Sequence, residues 1–488
     1  MSEIPLEDAE SVRSQKEQLP LYAPRVKVFP KRVSGIFRHL KWAALIVLLG
    51  IYYIAPWIRW DRGPNQPDQA FLIDMAHRRA YFLWIEIWPQ EVYYLAGLLM
   101  IGAFGLFLVT ALFGRVWCGF TCPQTVWTDL FMWVERLVEG DRTARMRLDR
   151  APWTAGKIAK RTTKHGLWLI ISVLTGGAWI MYFNDAPTLV LDILHWQVAP
   201  AVVFFIGLFT ATTYLLAGFA REQVCTYMCP WPRFQAAMFD EDSLIVTYQG
   251  WRGEPRGHHK KGESWDARGD CVACNQCIAV CPTGIDIRDG NQLECIGCGL
   301  CIDACNHIMA RVGRPANLIT YDSMARQTAE AAGKTAHYRL VRPRTLFYLG
   351  LLLIVGGFIV YGLWSRPGVE INVLRDRSPL FVTLSDGSIR NGYTLKILNK
   401  AREPRAYTLA LDGLPNATVT VVGRDAPETI VQLSAAPDAV TTYRLYVRAP
   451  SGDLDGKSTP FAFVLQPNPR TPDTPVSRRD VVFRGPDT

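Results

Sequence analysis

The chain has 488 residues, a formal net charge of +9 and a mean hydropathy of +0.07, with 16 Trp, 18 Tyr and 22 Phe. It is too apolar and too aromatic for an ordinary soluble protein, and its apolar residues are clumped. The excess of Lys and Arg follows the loop pattern below, so the charge does not imply nucleic-acid binding.

Residues 1–41 read as a charged, extended tail with Pro20, Pro24 and Pro30 and no apolar core of a cleavable leader. Five stretches have the length and lack of internal charge of membrane spans: 42–58, 92–113, 167–183, 199–219 and 346–364, the third being the shortest. The tail carries eight Lys and Arg, the loop 59–91 four, 114–166 ten, 184–198 none and 220–345 fifteen. This alternation predicts a cytoplasmic tail, second loop and fourth loop, and an outer face for the rest. The aromatic stretch from Ala80 to Trp88 is expected along the outer membrane surface, within a belt that includes Trp57, Trp60, Trp84, Trp88 and Trp196.

Beyond Trp364 the apolar pattern changes to period two. Glu370–Leu374, Leu380–Leu384, Tyr393–Asn399, Ala406–Leu411, Thr418–Val422, Thr429–Leu433, Thr442–Arg448 and Phe461–Gln466 read as strands. Turn signals such as Asp386-Gly387 and Asp412-Gly413 separate them, as in an immunoglobulin-like sandwich, with 467–488 as a polar tail. The predicted fold class is a multi-domain membrane protein. Its parts are the tail (1–41), a four-helix membrane region (42–219), a cytoplasmic α+β domain (220–345), a fifth span (346–364) and an all-β outer domain (365–488).

Two cysteine quartets lie within the cytoplasmic domain. They are Cys271-x2-Cys274-x2-Cys277-x3-Cys281-Pro282 and Cys295-x2-Cys298-x2-Cys301-x3-Cys305-Asn306. Eight thiolates so spaced are the ligand set of two [4Fe-4S] clusters of the bacterial ferredoxin kind, with the fourth of each quartet crossing to the other cluster. Cys271, Cys274, Cys277 and Cys305 then hold one cluster, and Cys295, Cys298, Cys301 and Cys281 the other. Zinc sites rarely string four thiolates in one run, and disulfides are out of place on the inner face. The ferredoxin part is expected at 266–320.

The remaining four cysteines form an internal repeat, Cys118-x3-Cys122-Pro123 after the second span and Cys225-x3-Cys229-Pro230 after the fourth. Both sit at the inner end of a span, where i and i+4 place two sulfurs on one helical face and the proline bends the chain. The repeat predicts four facing thiols near the clusters, able to bind a soft metal or relay electrons; buried structural cysteine is the plain alternative. None of the eight His lies well inside a span, which argues against bis-histidine haem; His39 and His165 sit at inner borders, and His307 follows the second quartet.

Tail, five spans, paired Cys-x3-Cys-Pro motifs, double ferredoxin motif and outer sandwich together resemble the cytochrome c oxidase accessory family called CcoG, FixG or RdxA. The resemblance covers most of the chain and departs at Asn306, where proline is usual. It implies a bacterial inner-membrane cupric reductase that turns Cu(II) into Cu(I) for assembly of a cbb-type haem-copper oxidase. It also implies two [4Fe-4S] clusters on the quartets, copper at Cys118, Cys122, Cys225 and Cys229, and a cytoplasmic electron donor. Copper-delivery proteins and the oxidase or its assembly factors would be partners. A quinol-linked membrane carrier and an assembly scaffold acting through the outer domain are the rival readings.

Overall fold

The computed structural model describes residues 6–11, 26–63, 66–259, 263–366, 368–401, 403–424, 426–454, 456–469 and 476–486. Pro20 and Pro24 of the tail lie outside them. The chain forms two compact units, Met1–Ile359 and Val360–Thr488, divided within the apolar helix Pro343–Trp364.

In the first unit, α1 (Ile36–Ile54) is followed by a small antiparallel sheet of β1 (Phe71–Asp74), β2 (Arg79–Phe82) and β3 (Ile85–Ile87). The Ala80–Trp88 stretch thus belongs mostly to a folded sheet. Trp88, placed in the exposed belt by its sequence position, is buried under the Arg79 guanidinium at 3.8 Å from its ring centre. Then come α2 (Tyr93–Phe113), α3 (Pro123–Glu139), α4 (Arg142–Arg150), α5 (Ala155–Ile180), α6 (Ala186–Leu194), α7 (Pro200–Thr213) and α8 (Trp231–Met238).

Among the described residues, four helical stretches are long and apolar enough to cross a membrane: Ile36–Trp57, Pro89–Phe113, Pro200–Ala220 and Pro343–Trp364. The span expected at 167–183 is the second half of α5. That helix is long, but Lys157, Lys160, Arg161 and Lys164 occupy its first half and leave too short an apolar run. The apolar half packs along α7. A Cβ added at Gly176 would lie 2.8 Å from the Ile206 carbonyl oxygen and 2.9 Å from Thr210 Oγ1, so the missing side chain is what lets the helices approach.

At one end this bundle closes on a buried charge cluster. Glu135 of α3 pairs with Arg145 of α4 at 2.9 Å, with Lys164 of α5 at 3.6 Å and with Arg221. Burial pushes the Glu135 carboxyl up, but Arg221, Arg145 and Lys164 outweigh it and hold it at about 2. Trp168 stacks on Phe131 beside this cluster at 5.2 Å between ring centres.

The second unit is a two-sheet sandwich of β6 (Val369–Arg375), β7 (Val382–Thr383), β8 (Ile389–Asn399), β9 (Arg405–Asp412), β10 (Thr418–Val421), β11 (Ile430–Ala435), β12 (Ala439–Ala449), β13 (Ser458–Asn468) and β14 (Ser477–Arg484). One sheet runs β10-β12-β8-β6 with β7 on β8, and the other runs β11-β9-β13-β14. Period-two alternation sends Tyr393, Leu395, Ile397, Leu409, Leu445, Val447, Phe463 and Leu465 into one core. The last strand corrects the expectation of a polar tail. Ser477–Arg484 hydrogen-bonds along β13 and buries Phe483, although Arg478, Arg479 and Asp480 make the segment read as solvated.

Replacing Glu135 by Leu would strand Arg145 and Arg221 without their carboxylate, while Lys164 keeps Glu139 at 3.1 Å. We expect a loss of about 3–5 kcal/mol, read as a lowered thermal unfolding midpoint of the detergent-solubilised protein.

Candidate functional site

The described ends of the tail and the segment from Ile245 onward build the cysteine-rich module. A two-stranded antiparallel ribbon, β4 (Ile245–Tyr248) with β5 (Ile319–Asp322), pairs Ile245 with Asp322 and Tyr248 with Ile319. Glu7 N–H donates to the Cys274 carbonyl at 3.1 Å and Lys31 N–H to the Ala279 carbonyl at 2.7 Å, so the tail is stitched to the module.

Inside it, the quartets ring two cavities. Cys271, Cys274, Cys277 and Cys305 line the first; Cys281, Cys295, Cys298 and Cys301 line the second, with Cys277 in the wall between. Each cavity thus has in its wall the fourth cysteine of the other quartet, Cys305 in the first and Cys281 in the second. Burial raises the thiols of Cys274, Cys277, Cys295, Cys298, Cys301 and Cys305, with Cys295 and Cys305 pushed up to about 12. Backbone N–H groups of Gln276, Gly297, Leu300 and Ile319 donate to the sulfurs of Cys274, Cys295, Cys298 and Cys305. Buried sulfurs with amide donors around an enclosed space fit thiolates neutralised by a cluster, and fit free thiols poorly. Among the described residues no three His, Cys, Asp or Glu close on a single-ion site.

Asn306 has a structural consequence. The helix Leu300–Val312 runs through Cys305 and Asn306, whereas after the first quartet the helix Gln276–Ala279 stops short of Cys281-Pro282. Proline at 306 would remove a helical N–H and clash with the preceding turn. Asn306 Oδ1 instead accepts from Asn317 N–H at 2.7 Å and anchors the return loop. His307 is exposed and lines neither cavity.

The paired motifs share one local geometry. Trp117–Thr121 and Val224–Met228 are each a single π-helical turn. Cys122 N–H donates to the Trp117 carbonyl, and Cys229 N–H to the Val224 carbonyl, both at 2.8 Å. Cys122 and Cys229 are then extended, as a residue before proline must be. The wide turn replaces the regular helix that the i, i+4 argument supposed, and such turns mark functional positions. Burial pushes both the Cys118 and Cys225 thiols up to about 12. The nearby thiols add to this, Cys122 and Cys229 for Cys118, and Cys122, Cys118 and Cys229 for Cys225, so the four are electrostatic neighbours. Cys229 is exposed, the other three partly buried.

The first motif lies directly against the second quartet. A Cβ at Gly119 would sit 2.8 Å from the Gly297 carbonyl oxygen and 3.0 Å from Cys298 Cα. Cys118 and Cys225 pack on the apolar cluster of Val280, Ile296, Cys298, Leu300 and Ala304. Arg115 spans the junction, donating to the Cys295 carbonyl at 2.9 Å, to the Pro232 carbonyl at 2.6 Å and to the Leu293 carbonyl. Lys41 of α1 donates to the Gly119 carbonyl at 3.2 Å, and the Cys118 thiol donates to Gln235 Oε1 at 3.3 Å. Gln235, fully buried, in turn donates to Thr110 Oγ1 at 3.2 Å. Sequence reasoning passes over Lys41, Gly119 and Gln235, because a lysine, a glycine and a glutamine have no spacing rule; only the Cys-Gly pair inside the motif hinted at close approach.

Three family profiles match the chain: a 4Fe-4S dicluster domain over residues 220–324, a 4Fe-4S binding domain over 95–139, and an IG-like fold at the C-terminus of FixG over 359–486. The chain is 50% identical to the nitrogen fixation protein FixG of Rhizobium meliloti over 94% of this chain and 93% of that one. It is 51% identical to protein RdxA of Cereibacter sphaeroides over 89% of this chain and 91% of the relative. To protein RdxB of the same organism it is 52% identical, over 91% of each.

A methyl group at position 119 must displace the Gly297–Cys298 backbone or the π turn. Gly119→Ala is expected to cost about 1–3 kcal/mol and to change the electron paramagnetic resonance signal of the second cluster more than that of the first, measured on the reduced protein.

Proposed function

The chain belongs to the FixG/RdxA family of membrane iron–sulfur oxidoreductases, and from that premise we propose that it reduces Cu(II) to Cu(I) for assembly of a cbb-type haem-copper oxidase. The observation that carries the proposal is the seating of the Cys118–Cys122 motif on the second quartet through Gly119. Cys271, Cys274, Cys277 and Cys305 would hold one [4Fe-4S] cluster, and Cys281, Cys295, Cys298 and Cys301 the other. Such clusters, when bound, supply one electron each at low potential.

The balance is simple. One electron, drawn ultimately from a reduced cytoplasmic donor, converts Cu(II) to Cu(I), with no bond to carbon or oxygen made. Cys118, Cys122, Cys225 and Cys229 supply soft donors that favour the product ion over the substrate ion. Thiols raised by burial are protonated at neutral pH, so copper binding there releases protons. The four thiols have different surroundings. Cys118 and Cys225 face the cysteine module, while Cys229 is exposed, which suits an ion that enters and leaves on one side and an electron that arrives from the other. We assign the ferredoxin module and tail to the cytoplasm, and the sandwich to the periplasm of a bacterial inner membrane, from the loop charges. The sandwich has neither Cys nor His and reads as a docking module for the oxidase or its assembly and copper-delivery partners.

A second reading keeps the same residues with a different ligand. The 4Fe-4S binding profile over 95–139 contains only two cysteines, Cys118 and Cys122, which favours an iron–sulfur role for the paired motifs themselves.

Two measurements separate these. On anaerobic, reduced protein given Cu(II), a Cu(I)-specific chelator should report Cu(I) in step with bleaching of cluster absorbance, and Cys118→Ser with Cys225→Ser should slow it at least about tenfold, the equivalent of 1.4 kcal/mol. Unchanged reduction in that double variant would remove the thiols from the reaction. Iron analysis should give about eight atoms per chain for two cubanes; a value near twelve, falling to near eight in the double variant, would favour the second reading.

A further inference from the structure

A cavity of about 560 Å³ lies away from the cysteine sites, at the charge-cluster end of the helical bundle. Neither the family membership nor the proposed reaction uses it. Its charged lining comes from Lys27 of the tail, Lys157, Arg161 and Lys164 of α5, and Arg221, with Glu135 and Asp149 facing them. Trp153, Trp168 and Phe219 supply aromatic wall.

The acids are already engaged. Asp149 takes Lys27 at 2.8 Å and Arg161 at 2.7 Å. Glu139, beside the cavity, takes Arg161 at 3.0 Å and Lys164 at 3.1 Å. Glu135 takes Arg221 and Arg145. Three carboxylates therefore face the five cations of the lining, and two positive charges are left over; Arg145 lies outside the lining and has Asp141 beside it as well as Glu135. Lys157 has no carboxylate in this set. Its Nζ donates to the Asp149 and Ala151 carbonyls and lies 5.0 Å from the centre of the exposed Trp153 ring.

The position narrows the ligand. The basic residues occupy the first turns of α5, and Phe219 in the cavity wall lies at the end of the apolar stretch Pro200–Ala220, where Leu215 and Phe219 are exposed. A phosphate-bearing anion satisfies the excess charge, and an apolar face continuous with the site favours one that carries acyl chains. Basic pockets between membrane helices on the cytoplasmic side bind anionic lipid headgroups.

We propose that this cavity holds the headgroup of an anionic phospholipid, with Lys157, Arg161 and Lys164 on the phosphate and the acyl chains along the exposed Phe219 and Leu215 of the Pro200–Ala220 stretch. The site is independent of the copper reading, since no cysteine contributes to it.

The test uses the full chain with its clusters, in nanodiscs of phosphatidylcholine alone or mixed with phosphatidylglycerol, followed by mild extraction and mass spectrometry of retained lipid. Wild type should retain phosphatidylglycerol about tenfold over phosphatidylcholine, a preference of 1.4 kcal/mol. Lys157→Gln with Lys27→Gln should abolish the preference, and Lys157→Arg should keep it. Equal retention of both lipids by wild type overturns the proposal without any variant, even if the substituted chains fold poorly. Full preference in the double variant also overturns it. Inorganic phosphate raising the thermal midpoint as much as phosphatidylglycerol would make the ligand a free anion and overturn the lipid assignment.

Discussion

The contact between Gly119 and the Gly297–Cys298 backbone fixes how the rest of the first unit is built. Two backbones meet there without room for a methyl group. One belongs to the loop that follows a membrane helix and the other to the ligand loop of a buried quartet. Electron transfer asks for short, fixed separations, and backbone-to-backbone packing supplies fixity that side chains, with their rotamers, do not. The flanking interactions serve the same end. Arg115 binds carbonyls on both sides, Lys41 binds the Gly119 carbonyl, and Gly299, in the left-handed region, leaves room for Phe37, whose ring a Cβ would meet at 2.6 Å.

The start of α1 extends that junction. Asp303, on the helix of the second quartet, accepts from Phe37 N–H at 3.3 Å and Arg38 N–H at 2.8 Å. It thereby caps α1 with a negative charge where free N–H groups and the helix dipole favour one. Arg38 then reaches Asp129 of α3 with two bonds, at 2.8 and 2.9 Å. Burial pushes the Asp129 carboxyl up, but Lys41 and Arg38 outweigh it and lower it overall. A buried pair of this kind adds little net stability, yet breaking it strands a charge. Its effect is to fix one register of α1 and α3 against the module.

What was legible in the sequence was whatever depends on period or spacing. Ligand spacing drew attention to the two quartets, whose cysteines line two cavities, Cys305 beside Cys271 and Cys281 beside Cys295. Alternation gave the sandwich strands through β13. Apolar length located the spans, apart from the half-charged α5. The remainder escaped because its cause is tertiary. Ser477–Arg484 is a strand because β13 offers an edge, not because its own residues favour one. The π turns at Trp117–Thr121 and Val224–Met228 add one residue per turn, and the residue pattern hardly registers that. Gln235 and Lys41 act through partners far away in the chain, at Cys118 and Gly119.

Asn306 shows how one residue can separate two otherwise similar halves. The quartets have the same spacing, so the same loop would be expected twice. Proline at 282 ends the first helix early, and Asn306 lets the second continue to Val312. The longer helix carries Asp303 to the start of α1 and leaves Asn306 to hold Asn317, next to the ribbon strand that begins at Ile319. Tyr321 on that strand donates to the Gly297 carbonyl, the oxygen that bars a side chain at 119. The second quartet is therefore the one tied to the membrane helices, and the first faces away along the tail. The paired motifs thus meet the fold at the second quartet, while the tail residues Glu7 and Lys31 bind the backbone of the first.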